Sequence, residues 1–125
     1  MTGCEVVYFR TERGDEPAKE FVDDLDPSAI RKYWRKIEYL RRFGESLCEP
    51  HAKSLGNGVR ELRFRGADGH HRILYFFFTG RYAVLVGGFT KKTNKTPKGV
   101  IDLAVSRMRL FLASPERYGL GSREK

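Results

Sequence analysis

At 125 residues and 14.4 kDa the chain has room for one domain with one core. A 40% hydrophobic fraction that includes one Trp, six Tyr and nine Phe excludes a disordered basic tail. The balance of 24 Lys and Arg against 16 Asp and Glu gives a formal charge of +8 and a pI near 9.7, which suits a polyanionic partner such as nucleic acid but selects no activity.

Residues 5–10 (EVVYFR) are rich in β-branched and aromatic side chains and read as a first strand. Asp15 or Glu16 then caps a short helix opened by Pro17, with Phe21 and Leu25 one turn apart. Asp26-Pro27-Ser28 repeats that signal and starts a second helix, which carries Ile30, Trp34, Ile37 and Leu40 at helical spacing and ends at Gly44. The two form a helical hairpin. Arg31, Lys32, Arg35, Lys36, Arg41 and Arg42 surround the apolar stripe, as a solvated face or as a surface for RNA or an acidic partner. Residues 45–57 read as a loop containing Pro50, followed by the Gly56-Asn57-Gly58 turn.

Three strands follow in quick succession: VRELRFR at 59–65, HRILYFFF at 71–78 and YAVLVGGF at 82–89. Turns this short make antiparallel neighbours. Gly87-Gly88 reads as a bulge or a close approach of backbones. Thr96-Pro97 caps a last helix with Ile101, Val105, Met108 and Leu112 on one side. The expected fold is α+β in the order β-α-α-β-β-β-α: a twisted antiparallel sheet packed against the hairpin and the C-terminal helix, with helices on one side and part of the other face free. Residues 1–113 are expected to form the single domain and residues 114–125 a polar, flexible tail.

Cys4 and Cys48 have neither metal-ligand spacing nor the density of a disulfide scaffold; both read as buried fillers, which suits a reducing compartment. The N-terminal stretch lacks the apolar core of a signal peptide, and the longest apolar run, Ile73 to Phe78, is far too short to span a membrane. A soluble, cytoplasmic protein is expected, and no cofactor or metal is called for.

Alternation along 59–65 puts Leu62 and Phe64 toward the core and lines up Glu61, Arg63 and Arg65 on the opposite face. In the next strand Arg72 shares a face with Leu74 and Phe76, while His71, Ile73, Tyr75 and Phe77 share the other. Both faces are apolar, so this strand is central, and Arg72 needs a partner: Glu61, Asp68 or a bound phosphate. Lys91 and Lys92 follow directly from the third meander strand, and Lys95 and Lys98 sit just before or inside the first turn of the final helix. Cations there oppose the helix dipole, a conflict that a bound anion relieves.

LGNGVRELRFR, HRILYFFF and GGFTKKTNKTP before an amphipathic helix together resemble the RelE/ParE superfamily of toxins from type II toxin–antitoxin systems. The resemblance is closest to the HigB-like, phage-derived branch, with its L-x-E-L-R strand, R-[VI]-x-Y strand and F-x-K-K-x-x-x-T-P segment, and it covers residues 47–112. It implies a metal-independent mRNA endoribonuclease, in many members acting on translating ribosomes, that a cognate antitoxin, often of helix-turn-helix type, neutralises in a hetero-oligomer. It also places Arg63, Arg72, Lys91 and Lys92 on the basic positions of the family. A tyrosine that some members carry at the start of the last helix has no counterpart here, where Thr96, Pro97 and Gly99 stand. The same scaffold also hosts gyrase inhibitors of ParE type and could serve as a non-catalytic RNA-binding module.

RNA is cut without a metal when its 2′-OH attacks the adjacent phosphorus in line, which requires charge stabilisation and two proton transfers. Arg63, Arg72, Lys91 and Lys92 supply the charge on this reading. Glu61 is the candidate base and His71 the candidate acid. Lys53, Arg65, Lys95 and Lys98 are expected to contact the RNA backbone.

Overall fold

A computed structural model describes residues 3–67, 69–91 and 95–121, so Asp68 and Lys92 lie outside the described residues. The elements are β1 (Glu5–Tyr8), α1 (Pro17–Asp23), α2 (Pro27–Phe43), β2 (Ala52–Gly56), β3 (Val59–Gly66), β4 (Gly69–Phe78), β5 (Tyr82–Lys91) and α3 (Lys98–Ala113). The strands form one sheet in the order β1-β5-β4-β3-β2, with β4 central. The α+β class, the hairpin and the meander therefore stand as the sequence implied.

Three features of the sheet differ from the expectation. The segment read as a loop contains β2, which pairs antiparallel with β3 through the turn at Gly56-Asn57-Gly58. All three turn residues have positive φ, at 94°, 57° and 85°, the region that Gly and Asn tolerate best. β1 pairs in parallel with β5, which makes the sheet mixed, because the chain passes through the whole hairpin and meander before its last strand returns beside the first. Third, helices cover both faces.

On one face α1 and α2 bury Ala18, Val22, Ala29, Tyr33, Ile37 and Leu40 against Leu62, Phe64, Ile73, Tyr75 and Leu85. On the other, Ala104, Val105 and Phe111 of α3 pack on Val59, Leu74, Phe76, Val84 and Val86. Each such aliphatic or aromatic side chain contributes about 1.5–3 kcal/mol by leaving water. The α2 stripe is offset from the expected one: Tyr33 is fully buried and Trp34 is 54% exposed. Tyr33 can occupy the core because its hydroxyl shares a 2.7 Å hydrogen bond with that of Tyr8. Leu112, expected on the apolar side of α3, is also exposed, and Phe111 takes the core position.

Asp26 caps α2 by accepting from the Ala29 N–H at 2.9 Å, as the Asp-Pro-Ser signal implied. No side chain caps α1 or α3. After α3, a kinked helical turn at Glu116–Leu120 returns to β1, where Tyr118 stacks on Phe9 at 5.8 Å and its carbonyl accepts from the Arg10 N–H. The described part of the expected flexible tail is thus packed. Cys48 is exposed and Cys4 partly buried, so Cys48 is no core filler.

The Gly87-Gly88 pair adjoins a bulge, as expected, but what approaches Gly88 closely is a side chain and not another backbone. The β4–β5 register shifts between Leu74↔Gly87 and Tyr75↔Leu85, a bulge at Val86 whose carbonyl accepts from Arg107 of α3 at 2.7 Å. A Cβ on Gly88 would stand 2.5 Å from the Phe21 ring. Gly88→Ala is expected to lower stability by about 1–3 kcal/mol, measured by thermal denaturation, and Gly88→Ala/Phe21→Leu to recover part of that loss.

Candidate active site

The β3–β4 register places Arg63 directly opposite Arg72, and Arg65 opposite His70, on the face that α3 shares. α3 covers only the Val59–Leu74–Phe76 half of that face, so the half nearest the β3–β4 turn is left open. Lys53 of β2 stands across from Glu61, and Lys91 of β5 stands across from His70. Two arginines directly opposite each other repel. The Glu61 carboxylate, only 1% exposed, offsets that repulsion. One of its oxygens lies 3.0 Å from Arg63 Nε and 3.5 Å from Arg72 Nε, and the other accepts from the Thr96 hydroxyl at 2.6 Å.

The result is one carboxylate beneath Arg63, Arg72, Lys53 and Lys91, an excess of positive charge. Arg72 is fixed further by donating from Nη1 to the His71 carbonyl at 3.0 Å. Glu49 reaches Arg63 from the rim at 3.6 Å but is mostly exposed, so it is worth little. Burial lowers the Arg72 pKa, an effect opposed by Glu61 and reinforced by Arg63. Lys91 is also lowered, first by burial and then by Arg72, which makes its ammonium a better proton donor than an ordinary lysine. A groove lined by Lys53, Leu55, Glu61, Arg63, Lys91 and Lys95 opens over these groups.

The sequence candidates divide in space. Arg63, Arg72, Lys91, Glu61, Lys53 and Lys95 converge, and Arg65 borders the cluster beside His70. Lys98 points into solvent and pairs with Asp102 one turn on, at 2.9 Å. His71 is on the other face. Its ring is buried against Phe21 and Phe64, and Nδ1 is 3.0 Å from the Thr90 hydroxyl, so its imidazole belongs to the hairpin-side core.

Two further residues join the site. His70 is exposed and on the Arg72 face, and its pKa is lowered by partial desolvation and by Arg65, Arg72 and Lys91. The shift favours the neutral imidazole, the form that can accept a proton. The alternation that assigned Arg72 its face carried this signal, since residues 70 and 72 share a side. Thr96, read as a helix cap, instead donates its hydroxyl to Glu61, and Pro97 takes the N-cap position.

Among the described residues no group of three or more His, Cys, Asp or Glu side chains is placed to hold a metal ion, and no helix is long and apolar enough to cross a membrane. Glu61→Ala removes the carboxylate and leaves the arginines and Lys91 facing one another. It is expected to destabilise the fold by about 3–5 kcal/mol, read from chemical denaturation, whereas Glu49→Ala should cost about 0–1 kcal/mol.

The model of the family described as phage-derived protein Gp49-like (DUF891) matches residues 20–109. Probable endoribonuclease HigB1 from Mycobacterium tuberculosis, strains CDC 1551/Oshkosh and ATCC 25618/H37Rv, is 34% identical over 59 residues, 47% of this chain and 46% of the relative. The chain thus matches about half the length of these curated relatives. The family match runs from α1 through most of α3 and takes in all four strands that build the cluster, β2 to β5. By that match the chain belongs to the phage-derived Gp49-like family, the HigB-like group that its strand motifs resemble.

Proposed function

We propose that the protein is the toxin of a toxin–antitoxin pair and that it cleaves mRNA by metal-independent transesterification. The observation that carries this reading is the sheet face on which Arg63, Arg72 and Lys91 surround a buried Glu61 beside an exposed His70. That the relatives are probable endoribonucleases supports it.

A phosphodiester entering the groove meets the guanidinium groups as a bidentate or paired donor set. His70 takes the proton of the 2′-OH as its oxygen bonds to phosphorus. Arg63 and Arg72 stabilise the charge on the phosphorane oxygens. Lys91 gives a proton to the departing 5′-oxygen as the P–O5′ bond breaks, leaving a 2′,3′-cyclic phosphate and a 5′-hydroxyl. Glu61 acts through the arginines: both of its oxygens are already engaged, so it positions them and takes no part in proton transfer. Lys92 extends the basic pair, and Lys53, Arg65 and Lys95 contact the RNA backbone on either side. The substrate on this reading is mRNA on the translating ribosome, and a cognate antitoxin of helix-turn-helix type silences the toxin by covering the basic face.

Expression of the wild-type chain is expected to arrest bacterial growth with loss of mRNA, and Arg72→Ala is expected to lower cleavage by about 10²–10³-fold, as for a lost oxyanion donor. Full toxicity of Arg72→Ala would overturn the assignment, and arrest with intact mRNA would overturn the nuclease. The pH dependence follows from His70. With its pKa below the ordinary value of about 6.5, the base form is lost only on acidification. The cleavage rate therefore rises with pH through that pKa and falls again on the alkaline side, where Lys91, the acid, loses its proton at a pH below the ordinary lysine value. His70→Asn is expected to cost about 10²–10⁴-fold and to erase the acid limb; a limb that persists unchanged would exclude His70 as the base.

A further inference from the structure

On the hairpin side of the sheet, α2 and the segment entering β2 enclose a second basic concavity of about 360 Å³, lined by Lys32, Arg35, Lys36, Tyr39, His51 and Arg65 among others. That volume lies in the range of ligand-sized clefts, about 300–1,000 Å³. Helical spacing explains the α2 contribution: residues 32, 35, 36 and 39 fall on one face, one turn apart.

Its chemistry is the reverse of the active site's. There a buried carboxylate compensates the cations; here, among the described residues, none of Lys32, Arg35, Lys36 and Arg65 is within 4.0 Å of a carboxylate. The partly buried Lys36 instead donates to His51 Nδ1 at 2.7 Å, an arrangement that requires the imidazole to be neutral. The His51 ring stands edge-on to Tyr39 at 5.0 Å, and the Lys36 ammonium lies 5.6 Å from the Tyr39 centroid. Burial lowers both pKa values, with Lys36 adding to the effect on His51 and Arg35 to that on Lys36. An anion would relieve the repulsion among these groups, and the partly buried Tyr39 and His51 rings border it as apolar surface.

Arg65 ties the two places together. It lines this concavity, and it also lines the shallow cleft of Arg63, His70 and Arg72 at the active site. We propose that the α2 concavity is a second RNA subsite, which holds a nucleotide flanking the cleaved bond: Lys32, Arg35 and Arg65 take its phosphates, and Tyr39 with His51 takes its base. The choice of RNA over other polyanions rests on the nuclease reading. Arg65 lies at the border of the two clefts, so only RNA that reaches past Arg65 fills the α2 concavity together with the active site.

The test is fluorescence anisotropy with labelled, fully 2′-O-methylated RNA, which binds but has no 2′-OH to react, as a tetranucleotide and as a decanucleotide. Wild type is compared with Lys32→Glu/Arg35→Glu and with the milder Lys32→Gln/Arg35→Gln; both residues are exposed, and folding is checked by circular dichroism. The reversed-charge variant is expected to bind the decanucleotide roughly tenfold or more weakly and to keep its tetranucleotide affinity. Its log–log salt dependence should become shallower by about 0.7 for each phosphate that is no longer neutralised. The Gln variant is expected to lose less, in the same length-dependent manner. Equal losses on both lengths, or none, would overturn the subsite. So would intact RNA binding accompanied by abolished binding of a polyglutamate peptide, which would make the concavity a protein-docking surface. Wild-type cleavage with no length effect sinks the subsite and leaves the nuclease; length-dependent binding without any cleavage of natural RNA does the opposite.

Discussion

The Glu61 carboxylate is the interaction on which the functional half of this sheet depends. Strand pairing sets Arg63 opposite Arg72 and brings Lys53 and Lys91 to the same face, which without compensation would push β3 and β4 apart. A single buried carboxylate cannot neutralise four cations. It holds two of them, Arg63 and Arg72, at hydrogen-bonding or ion-pair distance. Thr96 closes the arrangement by bonding the second oxygen, and in doing so ties the segment before α3 to the sheet. The strength of the proposed phosphate site and the stability of the strand pair thus rest on the same atoms.

The rest of the fold leaves this place open and keeps it rigid. The hairpin covers most of one face. α3, anchored to the Val86 bulge by Arg107, seals only part of the other. β4, central and buried along most of its length, carries Arg72 and His70 near its start, where burial gives way to solvent. That gradient explains their different states: Arg72 is recessed and fixed, and His70 is exposed, with its proton weakened by the cations around it. Residues on strands hold such geometry more closely than residues on loops.

Much of this was legible because strand alternation is a strict rule. It put Leu62 and Phe64 inside and Arg63 with Arg72 outside, and the structure agrees. The same rule put His71 on the face opposite Arg72, as the structure has it, so the acid role was given to His71 against its own facing, while His70 shares the side of Arg72. β2 was hidden by its shortness and by Pro50, although Asn57-Gly58 is among the strongest hairpin signals. Ile37 and Leu40 of the α2 stripe are buried as expected, but its first half was misplaced by one residue because Trp34 outranks Tyr33 in hydrophobicity; the Tyr8 hydroxyl that satisfies Tyr33 is distant in sequence. The parallel pairing of β1 with β5 and the Thr96–Glu61 bond are likewise tertiary facts, with no local signature.

If Glu61 works by holding Arg72 and Arg63, then Glu61 and Arg72 form one unit, and a double-mutant cycle on the cleavage rate measures it most directly. Glu61→Gln, which keeps the shape, and Arg72→Ala are combined, and the rate of product formation is compared across all four proteins. Strong non-additivity is expected: the double variant should be little slower than Arg72→Ala alone, with a coupling of about 1–3 kcal/mol. Effects that simply add would mean that Glu61 and Arg72 act independently, and that no single buried carboxylate organises the site.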